Sequence, residues 1–91
     1  MKRLKEPEIT EHLENLKDWK LDGKAIKREW TFQDFSEALD FINMIAVICE
    51  AHNHHPELYN VYNKVSLRFY THSENGLTMK DFAIAADIDK L

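Results

Sequence analysis

Residues 34–56, DFSEALDFINMIAVICEAHNHHP, decide the fold. Asp34, followed three positions on by Glu37, resembles a capping box with Asp in place of Ser or Thr. Beyond it Phe35, Ala38, Leu39, Ile42, Ile45, Ala46 and Cys49 recur at spacings of three and four. That period predicts an amphipathic helix running from Asp34 to about Asn53. Phe41, Met44 and Ile48 widen the apolar stripe beyond what one sheet contact requires, which points to a subunit contact as well. Pro56 is expected to end the helix, because a residue preceding proline is pushed out of the helical region.

On the C-terminal side the period switches to two. Leu58–Asn63 and Val65–Thr71 read as strands, with Val65, Leu67, Phe69 and Thr71 on one face and Ser66, Arg68, Tyr70 and His72 on the other. Gly76 falls in the following loop. Thr78 with Asp81 three residues later opens a last helix, whose apolar set is Phe82, Ile84, Ala85 and Ile88. On the N-terminal side Ala25–Phe32 and Trp19–Leu21 read as strands joined through Asp22-Gly23, a two-residue hairpin signal. Ile9, Leu13 and Leu16 keep helical spacing after Pro7, with Thr10 as N-cap and an end near Lys17–Asp18. The predicted order is α-β-β-α-β-β-α. Hairpin-joined strands give a four-stranded antiparallel sheet with helices packed on one face, an α+β fold.

The 91 residues suit a single domain spanning 1–91. Aromatics make up 11%, too many for a chain that builds no core. The longest apolar run, Phe41–Cys49, is interrupted by Asn43 and is far below the roughly 20 residues of a membrane span. Met1–Lys20 alternates charged and apolar residues without the apolar core of a signal peptide. A net charge of −4 gives no general attraction to a phosphate backbone, so direct nucleic-acid binding is not expected. Cys49 is the only cysteine and can form no internal disulfide, which favours a reducing, cytoplasmic setting.

Of five histidines, three lie within Ala51–Pro56. Imidazole titrates near neutral pH, so several around one pocket can deliver a proton at one atom and remove one at another. His54, His55 and His72 are the candidates, with Asp81 nearby. A plainer reading stands beside this one. Histidines at a helix C-terminus interact favourably with the helix dipole and the last carbonyls, Asp81 can be only the capping partner of Thr78, and His12 on the first helix reads as a surface residue. A metal site built from His52, His54, His55 and His72 matches none of the established zinc spacings.

Together, Glu50-Ala51-His52-Asn53-His54-His55-Pro56-Glu57, Val61-Tyr62-Asn63-Lys64-Val65, Thr71-His72, Gly76-Leu77-Thr78 and Asp81 resemble the pterin-4a-carbinolamine dehydratase signature. The resemblance extends upstream through Trp19, Asp34-Phe35 and Ala38 to Phe41. It implies a four-stranded antiparallel sheet covered by helices, in agreement with the order read from periodicity. It also implies removal of water from 4a-hydroxytetrahydrobiopterin or a related pterin, giving the quinonoid dihydropterin in pterin recycling for aromatic amino acid hydroxylases, with no cofactor and no metal. By position, His54 and His72 match the acid/base histidines and His55 the one that chiefly holds the pterin. Asn53, Tyr70, Thr71 and Ser73 match substrate-contacting segments, and Asp81, Trp19 and Pro56 supporting positions. Leu58 stands where the family often has tryptophan. The resemblance further implies a homodimer or homotetramer. Some family members also act as dimerisation cofactors of a transcription factor, which supplies a non-enzymatic alternative.

Overall fold

The computed structural model describes residues 2–91. Among them, helices α1 (Glu6–Leu13), α2 (Phe35–His52) and α3 (Met79–Ile88) alternate with two hairpins. One hairpin joins β1 (Lys20–Asp22) to β2 (Ala25–Thr31), the other β3 (Glu57–Val61) to β4 (Lys64–Phe69). The hairpins lie side by side as one antiparallel sheet of order β1-β2-β4-β3. The fold is the expected α+β arrangement of order α-β-β-α-β-β-α.

Register explains the core. Ile26 pairs with Phe69, Arg28 with Leu67 and Trp30 with Val65, so the period of two sets these side chains on one face. Val65, Leu67, Phe69 and Ile26 are buried there against Ala38, Phe41, Ile45 and Cys49 of α2 and Phe82, Ile84, Ala85 and Ile88 of α3. Each large apolar side chain so buried contributes about 1.5–3 kcal/mol. Thr71 continues the buried face one step past β4. On α2 the buried stripe runs through Phe41, while Phe35, Leu39, Met44 and Val47 remain exposed. The inner face is therefore narrower, and rotated, relative to the stripe read from spacing alone.

Three local expectations shift. The first hairpin turns at Gly23-Lys24 rather than Asp22-Gly23, because Asp22 stays in the ladder opposite Ala25. Arg68 holds it there, donating to the Asp22 carboxylate and carbonyl at 3.0 Å each. Gly23 takes φ 61°, the left-handed conformation glycine adopts without strain. Helix α1 is capped by Lys5, whose N–H donates to the Glu8 carboxylate at 3.0 Å. Pro7 sits in its first turn, Thr10 lies inside it and it ends at Leu13. Helix α2 ends at His52, next to the expected end at about Asn53, but what closes it is Asn53 in the left-handed conformation at φ 49°, ψ 46° rather than Pro56. The Asn53 N–H donates to the Glu50 carbonyl at 3.2 Å and the His54 N–H to that of Cys49 at 3.0 Å, a Schellman turn. At its start, Asp34 accepts from the Glu37 N–H at 2.8 Å, but the Glu37 carboxylate reaches back to Gln33. No helix among the described residues is long and apolar enough to cross a membrane.

Candidate functional site

The Schellman turn delivers His54. Two residues past the end of α2, its ring folds back onto Phe69 of β4, with centroids 5.7 Å apart and planes 28° apart. Its Nε2 lies 2.6 Å from Oδ1 of Asp81. Asp81 is wholly buried and His54 is 7% exposed. A buried carboxylate needs donors for its remaining lone pairs, and α3 supplies them through its own start. Thr78 is the N-cap and Asp81 the third helical position, so the Thr78 N–H donates to Asp81 Oδ2 at 2.9 Å. The Thr71 hydroxyl donates to the same oxygen at 2.8 Å and lies 2.7 Å from the Thr78 hydroxyl. The ends of α2 and β4 and the start of α3 thus meet in one buried polar cluster.

His72 stands just outside it. The loop after β4 is closed by a bridge between Thr71 and Gly76, with the Thr71 N–H donating to the Gly76 carbonyl at 2.9 Å. A Cβ on Gly76 would lie 2.5 Å from the exposed Arg3 side chain, which would have to swing aside to admit a larger residue there. This loop holds His72 and Ser73 exposed in a short 3₁₀ turn. The His72 ring packs on Tyr70 with centroids 4.2 Å apart, and Lys24 Nζ lies 4.6 Å from the Tyr70 ring. Asn53 is exposed, and its carbonyl accepts from Lys80 Nζ at 3.4 Å.

His55 is directed elsewhere. It is exposed, and its Nε2 lies 2.7 Å from the Glu50 carboxylate. With Pro56, Leu58, Ile42 and Cys49 it lines a cavity of about 380 Å³. Burial, then the neighbouring Glu50 charge, pushes the Cys49 thiol up, so it stays protonated at neutral pH. His52 pairs with Asp87 of α3 at 2.7 Å. His12 is half-buried with its ring 5.1 Å from Phe82, so it is a packing residue rather than the free surface histidine expected. Trp19 is buried, donates from Nε1 to Asp89 at 2.8 Å, and packs on Phe69, the ring that also carries His54. A further cavity of about 380 Å³, lined by Arg28, Trp30, Phe41 and Asp89 among others, shares no residue with this cluster. Among the described residues no three His, Cys, Asp or Glu side chains converge as metal ligands.

What this arrangement can do is proton chemistry: a buried imidazole is held by an anchored carboxylate, and an exposed second imidazole, His72, follows Thr71 of the cluster and packs on Tyr70. The family model for pterin 4 alpha carbinolamine dehydratase matches residues 2–91. The chain belongs to this family. Curated relatives that bear the family's name include a Sulfurisphaera tokodaii protein, 42% identical over 91 residues and covering 100% of this chain and 98% of its own. A Chloroflexus aurantiacus relative is 43% identical over the same shares. The crystal structure of a transcriptional coactivator/pterin dehydratase from Brucella melitensis superposes with a TM-score of 0.92 at 42% identity, over 98% of this chain and 97% of that one. A pterin dehydratase-like protein described as a RuBisCO assembly factor in the alpha-carboxysome shares the fold, with a TM-score of 0.69 at 20% identity over 80% of this chain and 87% of that one.

Within the dehydratase family frame, two contributors escaped the sequence reading. Thr78 reads as a cap, and nothing local shows that its hydroxyl also meets Thr71. Glu50 stands in the quoted signature, but nothing local shows that the Schellman turn brings it to His55.

Proposed function

We propose that this protein dehydrates 4a-hydroxytetrahydrobiopterin or a closely related 4a-hydroxytetrahydropterin to the quinonoid dihydropterin by histidine acid/base catalysis. The observation that carries the proposal is the buried His54–Asp81 pair beside the loop that presents His72. In the reaction the C4a–O bond breaks while the N5 lone pair forms the C4a=N5 bond. One protonated imidazole delivers a proton to the departing hydroxyl, which leaves as water. A neutral imidazole takes the proton from N5, and the pair is restored by exchange with solvent. His54 and His72 share these two tasks. No redox cofactor or metal is required by the balance.

His55 is assigned chiefly to holding the pterin, and Asn53, Tyr70 and Ser73 to contacting it. Trp19 and Pro56 support from below, Trp19 through Phe69. Thr71 has its hydroxyl and backbone committed inside the protein, so its part is support of Asp81. The exposed apolar residues of α2, Phe35, Leu39, Met44 and Val47, favour a homodimer or homotetramer, and the single cysteine favours a cytoplasmic setting. The test is to generate the 4a-hydroxypterin in situ and follow its loss with and without the protein. Faster loss, retained after exhaustive chelation, is expected. Unchanged loss overturns the reading, and loss of activity on chelation restored by one metal overturns the metal-free mechanism.

A second reading has one observation in its favour, the Brucella melitensis structure described as a transcriptional coactivator/pterin dehydratase. On that reading the chain is a dimerisation cofactor of a transcription factor. Co-purification with such a factor by a protein lacking turnover is the outcome that selects it.

A further inference from the structure

We infer that Thr78 and Thr71 are positioning residues that fix His54 in a single tautomer, with the proton on Nε2 and Nδ1 as the working nitrogen. The inference rests on the acid/base role proposed for His54. It follows from a donor count in the buried cluster. A threonine hydroxyl has one proton to give and two lone pairs. The Lys80 N–H donates to the Thr78 hydroxyl at 3.2 Å, which occupies a lone pair there. The Asp81 N–H also points at the Thr78 hydroxyl in the capping box, and the one remaining partner is the Thr71 hydroxyl, which in turn meets Asp81 Oδ2. If the chain of protons ran outward from a protonated Asp81, Thr71 would donate to Thr78, and the Thr78 proton would have no acceptor. Thr78 is wholly buried, and an unpaired buried donor costs about 1–3 kcal/mol.

Run inward, every proton is used. Lys80 N–H gives to Thr78, Thr78 to Thr71 and Thr71 to Asp81 Oδ2, where the Thr78 N–H also points. Asp81 Oδ2 then receives two donors and holds no proton, while a proton on Oδ1 would face only His54 Nε2, and imidazole is ordinarily the stronger base of the two, so the proton belongs to the ring and Asp81 is a carboxylate. A carboxylate only accepts. His54 Nε2, 2.6 Å from Oδ1, must therefore carry the hydrogen. In neutral His54 the lone pair is left on Nδ1, which has no hydrogen-bond partner among the described residues. A local capping motif has thereby become a one-way device that sets the chemistry of a histidine just beyond the end of another helix.

The decisive readout is spectroscopic and does not depend on turnover. Long-range proton–nitrogen correlation of the full-length, nitrogen-15-labelled protein at about pH 8.5, above the ordinary imidazole range, reports which ring nitrogen of His54 is protonated. Nε2–H is expected, and an Nδ1–H tautomer in the native protein overturns the inference without any substitution being made. Asp81→Asn presents an amide that can donate to Nε2. It is expected to mix or reverse the tautomer and to lower kcat by about a hundredfold, within the range for acid/base assistance. Thr71→Val is expected to shift the Nε2–H resonance upfield and lower kcat about tenfold with little change in KM, and Thr71→Ser to restore both. Thr78→Val acts one bond further away, with a smaller loss that Thr78→Ser restores. A raised KM with unchanged kcat for Thr71→Val makes Thr71 a substrate contact and overturns its positioning role. A native Nε2–H spectrum in a protein without dehydratase activity supports the donor count and overturns the proposed function instead.

Discussion

His54 and His55 are neighbours in sequence, and each has a carboxylate at almost the same distance, 2.6 Å to Asp81 and 2.7 Å to Glu50. The bond lengths say nothing about how the pairs differ. The side chains of His54 and Asp81 are 7% and 0% exposed, and those of His55 and Glu50 are 59% and 76% exposed. In water an ion pair is screened and is worth about 0–1 kcal/mol. In the core, removing one partner strands the other and costs about 3–5 kcal/mol. The left-handed Asn53 creates the contrast: it sends His54 onto Phe69 of β4 and leaves His55 outside. One turn therefore yields a histidine built into the fold and a histidine free to respond to a ligand.

The largest break in that contrast is expected from Asp81→Leu. It removes the acceptor of His54, of the Thr71 hydroxyl and of the Thr78 N–H together. Urea unfolding at neutral pH is expected to show a loss of about 3–5 kcal/mol. A loss below about 1 kcal/mol would place the pair with the surface pairs. Next comes His12→Ala, which removes the ring packed on Phe82 and is expected to lower the urea midpoint while leaving kcat unchanged. A fall in kcat would link α1 to the chemistry.

His52 and Asp87 form an intermediate case at the α2–α3 contact. The His52 hydrogen bond, followed by that of Lys90, holds the Asp87 carboxyl below its ordinary value. A carboxyl depressed in the folded state stabilises the fold above the unfolded value of about 3.9, and that contribution is lost as pH falls through the folded value. Asp87→Asn is expected to flatten the loss of stability on acidification below about pH 4 and to change little at neutral pH, as read from urea midpoints across the range. An unchanged acid profile would show that the pair contributes nothing. The smallest effect is expected for Glu50→Gln, within about 0.5 kcal/mol of the native stability, since both partners are solvated. A larger loss would mean that His55 is not the free partner in the comparison.

Residues whose fate is set by neighbours in sequence were legible. The alternation of Val65, Leu67, Phe69 and Thr71 placed the buried face of β4, and the Thr78/Asp81 spacing placed the start of α3. What depended on distant partners was not. Asp22 stays in the ladder because of Arg68, 46 positions away, which moves the turn one residue on. His12 is half-buried against Phe82, on a helix at the other end of the chain. The end of α2 near Asn53 is legible from the apolar spacing, but its cause is not: Pro56 is the strong local breaker, whereas the backbone of Asn53 closes the helix with two reversed hydrogen bonds. The candidate site shows the same division. Its histidines and Asp81 stand out by type and spacing, but the bond from Asp81 to His54 spans 27 positions and only the fold supplies it.

The central claim is that the buried histidine, and not its exposed neighbour, carries proton transfer. It is tested most directly by kcat for His54→Ala and His55→Ala in the in situ 4a-hydroxypterin assay, with folding of both proteins verified. The account predicts a loss in kcat of about a hundredfold or more for His54→Ala. For His55→Ala it predicts a raised KM with kcat within a few-fold of native. Native kcat in a folded His54→Ala protein would contradict it.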